Sequence, residues 1–236
     1  MAGTLYLIPT PLTEGVLTPL PEETLAIVRR LKVFVVERGK TARQFIKQTE
    51  TPIPFAEMTF FELNKRTNAS ELPSFLKPAL DENQDIGILS EAGCPGIADP
   101  GADLVNLAHQ RGLNVVPLVG PSSILLALMA SGLNGQQFAF HGYLPIKNPN
   151  RKKALQDLER QSKKQRQTQI FIETPYRNDG LISDMLSALN GQTKLCVAAD
   201  LTAPDAYIKT KTILNWKRQA PPRLHKRPAI FLILAS

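Results

Sequence analysis

The runs Val33–Val36 and Ile86–Leu89 are wholly apolar apart from one glycine, with no polar residue alternating between the others. A strand of that pattern has no face to offer water, so it belongs inside a sheet covered on both sides. The runs at 115–119, 170–172 and 195–199 share this character, and a first run at 5–8 is closed by Pro9-Thr10-Pro11. Helical periodicity separates them. It is clearest at 21–31, where Pro21 suits the first turn and Leu25, Val28 and Leu31 recur at helical spacing. Further helices are expected at about 41–48, 70–80, 102–111, 122–131, 150–161 and 178–189. Strands alternating with helices predict an α/β fold, with parallel sheets joined by right-handed crossovers. Near Val119-Gly120-Pro121 one series of units closes and another opens. Two α/β lobes, 1–118 and 119–236, are therefore expected, with a cleft between them. The second lobe ends differently, with polar and apolar residues alternating at 207–212, then Trp216, then an apolar run at 230–234. Those segments predict antiparallel strands completing a mixed sheet.

Charge is divided unevenly along the chain. Residues 1–140 carry 11 Lys+Arg and 14 Asp+Glu, whereas residues 141–236 carry 17 and 7. A basic C-terminal half fits either a polyanionic partner or an ordinary solvated face. No apolar run approaches the roughly 18 residues of a membrane helix. The N-terminus lacks the basic and apolar regions of a secretory signal, so a cytoplasmic location is expected. Two cysteines form no disulfide framework, and with three scattered histidines (His109, His141, His225) they offer no metal-ligand spacing.

The most informative stretch runs Ser90-Glu91-Ala92-Gly93-Cys94-Pro95-Gly96-Ile97-Ala98-Asp99-Pro100-Gly101. It leaves the C-terminal end of an expected parallel strand, where ligands bind in open α/β sheets. Its glycines permit close backbone approach and its prolines stiffen the loop; a tight strand-to-helix turn needs the same residues. Neither the dinucleotide G-x-G-x-x-G nor the phosphate-cradling G-x-x-x-x-G-K-[ST] is present. Cys94 reads as a small loop residue, because no histidine neighbours it to make it a nucleophile. Ser122 and Ser123 follow another strand, where they can cap a helix or receive a polar ligand group. A third strand end, Glu173-Thr174-Pro175-Tyr176-Arg177, sets an acid, an aromatic and a cation side by side.

Residues 90–101 resemble the S-[DE]-A-G-x-P-x-[IV]-[SA]-D-P-G segment of the tetrapyrrole methylase family of S-adenosylmethionine-dependent methyltransferases. The likeness continues, in matching order, through the T-P after the first strand and V-P-x-x-G-P-S at 116–123. Ala130-Ser131-Gly132-Leu133, F-x-G-Y-L-P at 140–145 and E-T-P-Y-R at 173–177 extend it further. It is greatest for the branch that methylates a cytidine ribose 2′-oxygen of small-subunit ribosomal RNA. The resemblance implies two α/β lobes, a homodimer and S-adenosyl-L-methionine as cofactor. It assigns cofactor contacts to Pro9, Ser90, Ala92, Gly93, Cys94, Ile97, Ala98, Ser122, Ser123 and Glu173. The chain departs from that branch where Glu37-Arg38-Gly39-Lys40 replaces E-D-T-R, and where Leu12-Thr13-Glu14-Gly15 replaces a G-N segment. Asp200-Leu201-Thr202-Ala203 stands in place of E-L-T-K. These departures touch the substrate side more than the cofactor side.

Methyl transfer to a ribose hydroxyl needs in-line alignment and removal of a proton. The substrate-side catalytic candidates are Glu37, Arg43, Glu173, Tyr176 and Arg177. Either glutamate can accept a proton, and either arginine can hold phosphate or an alkoxide. Residues 147–166 contain eight Lys/Arg and two Asp/Glu, a face suited to RNA phosphates or simply to water. Ribosomal RNA or the small ribosomal subunit is the expected partner. A tetrapyrrole or other small-molecule methyltransferase, and a non-catalytic RNA-binding or assembly protein, are the alternatives.

Overall fold

The computed structural model describes residues 2–219 and 221–236. Contacts divide the chain into two compact units, 1–122 and 123–236, four residues beyond the change of lobe expected at 118/119.

The first unit is a five-stranded parallel sheet ordered β3-β2-β4-β1-β5. Its strands are β1 (Thr4–Ile8), β2 (Val33–Val36), β3 (Thr59–Glu62), β4 (Ile86–Leu89) and β5 (Asn114–Pro117). Its helices are α1 (Glu22–Arg30), α2 (Gly39–Gln48), α3 (Leu72–Asp81) and α4 (Ala102–Gln110). The unbroken apolar runs have the expected cause. Every residue of β2 and β4 is buried. Successive side chains point to opposite faces of a strand. Val33 and Val35 accordingly join Leu5, Ile86 and Ile88 beneath α3 and α4, where Phe75, Leu76 and Leu104 complete one core. Phe34 and Val36 join Ile8 and Leu89 beneath α1 and α2, packed against Val28, Phe45 and Ile46. Phe34 is fully buried, and truncating such a side chain to alanine costs about 3–5 kcal/mol.

The second unit is a mixed sheet ordered β6-β7-β10-β8-β9. Its strands are β6 (Phe138–Tyr143), β7 (Thr168–Ile172), β8 (Lys194–Ala199), β9 (Tyr207–Thr212) and β10 (Ala229–Leu234). Only β6 and β7 pair in parallel; β7–β10, β10–β8 and β8–β9 are antiparallel, as the C-terminal pattern predicts. Helices α6 (Asn150–Gln165), α7 (Asn178–Ala188) and α8 (Ile213–Arg218) cover one face with Leu155, Leu181, Met185 and Trp216. Helix α5 (Ser123–Ser131) lies against β9 and β10.

Two strands and one α-helix were not expected from sequence: β3, β6 and α8. Strand β3 is an edge strand with partly exposed residues. Strand β6 is also an edge, and its register shifts between Phe140 and Tyr143 around Gly142, whose φ is +62°. The expected helix at 70–80 begins instead with a 3-10 turn at Ala69–Glu71. A capping box between Asn68 and Glu71 and a proline at the start of α3 set that entry.

Candidate functional site

Strands β1 and β4 are neighbours with Ile8 opposite Leu89, so the loops that follow leave the same edge of the sheet. They are stitched together immediately. Thr10 N–H donates to the Gly93 carbonyl at 2.9 Å, and Gly93 N–H donates to the Thr10 carbonyl at 3.0 Å. The Ser90 hydroxyl donates to the Gly93 carbonyl at 2.6 Å, and the Thr10 hydroxyl donates to the Ser90 carbonyl at 3.2 Å. Gly93 has a φ of +76°, which disfavours any side chain, and a Cβ there would lie 3.2 Å from Leu12. The segment before α5 closes on the same place. A Cβ on Gly120 would fall 2.4 Å from Cβ of Pro9, and the Cys94 thiol lies 3.6 Å from the Pro121 carbonyl. Pro9, Ser90, Gly93 and Cys94 thus converge, with Ser122 next along the chain from Pro121. Ala92, Ile97 and Ala98 are exposed on the outer side of the loop, and Ser123 opens α5 in the second unit. Burial raises the Cys94 thiol above its ordinary value, which works against a nucleophilic role.

An acidic group gathers beside this turn. Glu37 follows β2, and Asp99 lies in the loop after β4; together with Ser90 they line a small recess. Burial first, then the nearby Glu37 and Glu91 charges, raise the Asp99 carboxyl to about 6. Glu91 accepts a hydrogen bond from the Thr41 hydroxyl at 2.7 Å. Arg43 lies over the Phe60 ring, 4.4 Å from its centroid. Asp99 was missed in the sequence because a D-P-G ending reads as loop geometry. Thr10 was missed because the proline on either side offers a sufficient reason for a turn.

The other substrate-side candidates lie in the second unit. Glu173 is buried and accepts from Arg177 at 2.6 Å and from Thr174 N–H at 2.7 Å. Arg151 stands 3.9 Å from its second oxygen. The Glu173 carboxylate is thus tied to two arginines. Its bond to Arg177 also raises that guanidinium, keeping the cation charged. Tyr176 is exposed and meets His225 edge to face. Arg151 is the surprise of the basic stretch. It is buried, and it pairs with Asp184, which also accepts from Asn148 and lies 3.7 Å from Lys152. Lys153, Lys163, Lys164 and Arg166 are exposed on or just beyond α6, with no ion pair among the described residues. The basic excess of the chain lies entirely in this unit. Among the described residues no cluster of His, Cys, Asp or Glu could hold a metal, and no helix is long and apolar enough to cross a membrane.

Residues 4–214 match the family model described as Tetrapyrrole (Corrin/Porphyrin) Methylases. A protein of Vibrio cholerae named ribosomal RNA small subunit methyltransferase I is 34% identical over 205 residues, covering 85% of this chain and 66% of its own length. The protein of the same name from Halalkalibacterium halodurans is 31% identical over 226 residues, covering 92% of this chain and 72% of its own. The chain therefore spans about two thirds of the length of the curated relatives it matches. Among solved structures, the methyltransferase CobJ superposes with a TM-score of 0.64 at 16% identity, covering 100% of this chain and 95% of that one. The cobalt precorrin-4 methyltransferase CbiF gives 0.62 at 15% identity, covering 98% and 94%. At such low identity these two show the fold alone.

Proposed function

The chain belongs to the tetrapyrrole methylase family, and on that premise we propose that it is an S-adenosyl-L-methionine-dependent methyltransferase acting on small-subunit ribosomal RNA, at a ribose 2′-hydroxyl. The observation that carries this reading is the stitched turn joining Thr10, Ser90 and Gly93. It is a rigid cradle of bent main chain that a Cβ would close, and it sits where an open parallel sheet binds ligands. The turn fits the cofactor: main chain at 92–94 would hold the methionine end, while exposed Ile97 would pack on its apolar part. Pro9, Cys94, Ala98 and Ser122 would complete the contacts of the first unit. Ser123 and Glu173, carried by the second unit, are assigned to the cofactor by resemblance.

When bound, S-adenosyl-L-methionine supplies an electrophilic methyl group on a sulfonium. The protein must hold the acceptor oxygen in line with it and exclude water. It must also receive the hydroxyl proton as the new oxygen–carbon bond forms and the carbon–sulfur bond breaks. Glu37 and Asp99 are our candidates to receive this proton: they share a recess with Ser90, and burial with nearby acidic charge raises the Asp99 carboxyl to about 6. Arg43, Tyr176 and Arg177 remain candidates for holding the RNA. The exposed cations of α6 would bind its phosphates.

A second copy of the chain would cover an apolar surface of the second unit. Leu125 and Met129 on α5, with Phe138, Tyr143 and Ile146 in and after β6, are all exposed. The active species, by the family resemblance, is a homodimer working in the cytoplasm on its ribosomal substrate. The test is transfer of labelled methyl groups to isolated small subunits and to their naked RNA, with mass-spectrometric mapping of the product. A single 2′-O-methylated nucleotide is expected. Labelled base, or no label at all, would overturn the assignment.

A further inference from the structure

We propose that the second unit carries an anchoring surface remote from its substrate-side residues, a basic platform at the ends of α6 and α8 and the start of β8 that grips the phosphate backbone of a folded RNA. The proposal rests on the methyltransferase reading and deepens it, by separating where the acceptor is held from where it reacts. Glu173, Tyr176 and Arg177 follow Ile172, the last residue of β7, at one end of the sheet. At the opposite end Lys194, the first residue of β8, stands in one row with Leu234 of β10 and Thr212 of β9, and β7 begins beside that row. Helix α6 runs between the two ends. Its Arg151 lies 3.9 Å from Glu173, whereas its Ser162 hydroxyl accepts from Ala235 N–H just past β10. At the rise of an α-helix Lys163 lies about 18 Å beyond Arg151.

The platform is one connected piece of structure. Glu159 on α6 accepts from Asn190 N–H at 2.8 Å and from the Thr193 hydroxyl, which ties the helix to the loop before β8. That loop carries α8, because Ile213 N–H donates to the Thr193 carbonyl and Leu214 N–H to the Gly191 carbonyl, both at 2.9 Å. Lys163, Lys164, Arg166, Lys194, Lys217 and Arg218 are exposed on this frame, and none has an ion pair among the described residues. Lys211 adds a charge 4.7 Å from the centroid of the Trp216 ring. The acids of α6 are engaged elsewhere: Glu159 by the bonds that tie the loop, Asp157 by Arg160. Cations in a last turn complement the helix dipole, which accounts for either helix taken singly. It does not account for two helices and the first residue of β8 delivering theirs to one end of the sheet. Such a surface suits phosphates rather than a protein, since protein interfaces are depleted in lysine and apolar at their centres. Among the described residues Leu214 is the only exposed large apolar side chain on α6, β8 or α8. An anchor this far from the reacting groups binds equally before and during methyl transfer, so it lowers KM without changing kcat.

The test compares the parent with a variant carrying Lys194→Gln, Lys217→Gln and Arg218→Gln, in binding of naked small-subunit RNA and in methyl transfer to isolated small subunits. The RNA dissociation constant and the KM for subunits should both rise at least fivefold, with kcat within about twofold of the parent. The salt slope of binding should fall by up to about three. A second variant removes the same charge from exposed positions of the first unit, by Lys65→Gln, Lys77→Gln and Arg111→Gln, and should bind like the parent. RNA binding absent in the parent or unchanged in the first variant, equal weakening in both variants, or a fall in kcat at constant KM would overturn the proposal. So would weakening seen with assembled subunits and not with naked RNA, which would mark a ribosomal protein as the partner. If the parent transfers no methyl group but the first variant loses RNA affinity, the methyltransferase reading fails and the surface stands. If the parent methylates RNA and the first variant binds it unchanged, only the surface fails.

Discussion

Replacing Asp99 by asparagine should stabilise the folded chain at neutral pH. The Asp99 carboxyl is raised from 3.8 to about 6, by burial before anything else and then by Glu37 and Glu91. The folded state therefore holds this proton more tightly than the unfolded state does. The resulting stability is fully present below the unfolded value near 3.8 and is lost as pH rises through about 6. Taken whole, a shift of this size is worth about 3 kcal/mol. Asp99 is only partly buried, and solvent screening reduces the expected effect to about 1–2 kcal/mol. Asparagine has no charge to desolvate, so Asp99→Asn should exceed the parent by that margin at pH 8 and match it near pH 4. Urea unfolding across that range measures the difference directly. A variant no more stable than the parent at pH 8, or an advantage that grows toward low pH, would refute the reasoning. The same carboxyl gives an activity profile: turnover should rise with pH through about 6, and Asp99→Asn should lose turnover while still binding cofactor.

Gly93→Val places a branched side chain at a φ of +76° and against Leu12. The strain is about 1–2 kcal/mol, and cofactor affinity should fall at least tenfold in a protein that calorimetry and circular dichroism show to be folded. Arg151→Met leaves the buried carboxylates of Asp184 and Glu173 without their shared cation; a loss of about 3–5 kcal/mol is expected in urea unfolding, against almost none for Lys153→Met. Replacing Lys153, Lys163 and Lys164 together by alanine should weaken binding to small-subunit RNA and lower its salt slope by up to about three. Cofactor affinity in that variant should be unchanged; an unaltered salt slope would make the face merely solvated.

What the sequence made legible follows burial. Strands β2 and β4 stand where the unbroken apolar runs put them, because a strand covered on both faces leaves an unambiguous pattern. Strand β9 was equally clear from its alternation. Edge strands gave weaker signals: Thr59–Glu62 begins and ends polar, and Phe138–Tyr143 is interrupted by His141 and Gly142. The glycine-rich loop was visible as a candidate site, but its fastening was not. The bond from Thr10 to Gly93 spans distant parts of the chain and depends on β1 and β4 becoming neighbours. Arg151 illustrates the same limit. Among eight cations in one stretch nothing local distinguishes the buried one, whose partner Asp184 lies on another helix. Asp99 gained its raised proton affinity from burial first and then from the charges of Glu37 and Glu91, which only the folded sheet brings close.

The central claim is most directly tested by crystallising the chain with S-adenosylhomocysteine, the demethylated product. The account predicts the product seated on the main chain of Ala92, Gly93 and Cys94, with Ile97 packed against it. Density for the product elsewhere, or a protein that binds none at saturating concentration, would contradict it.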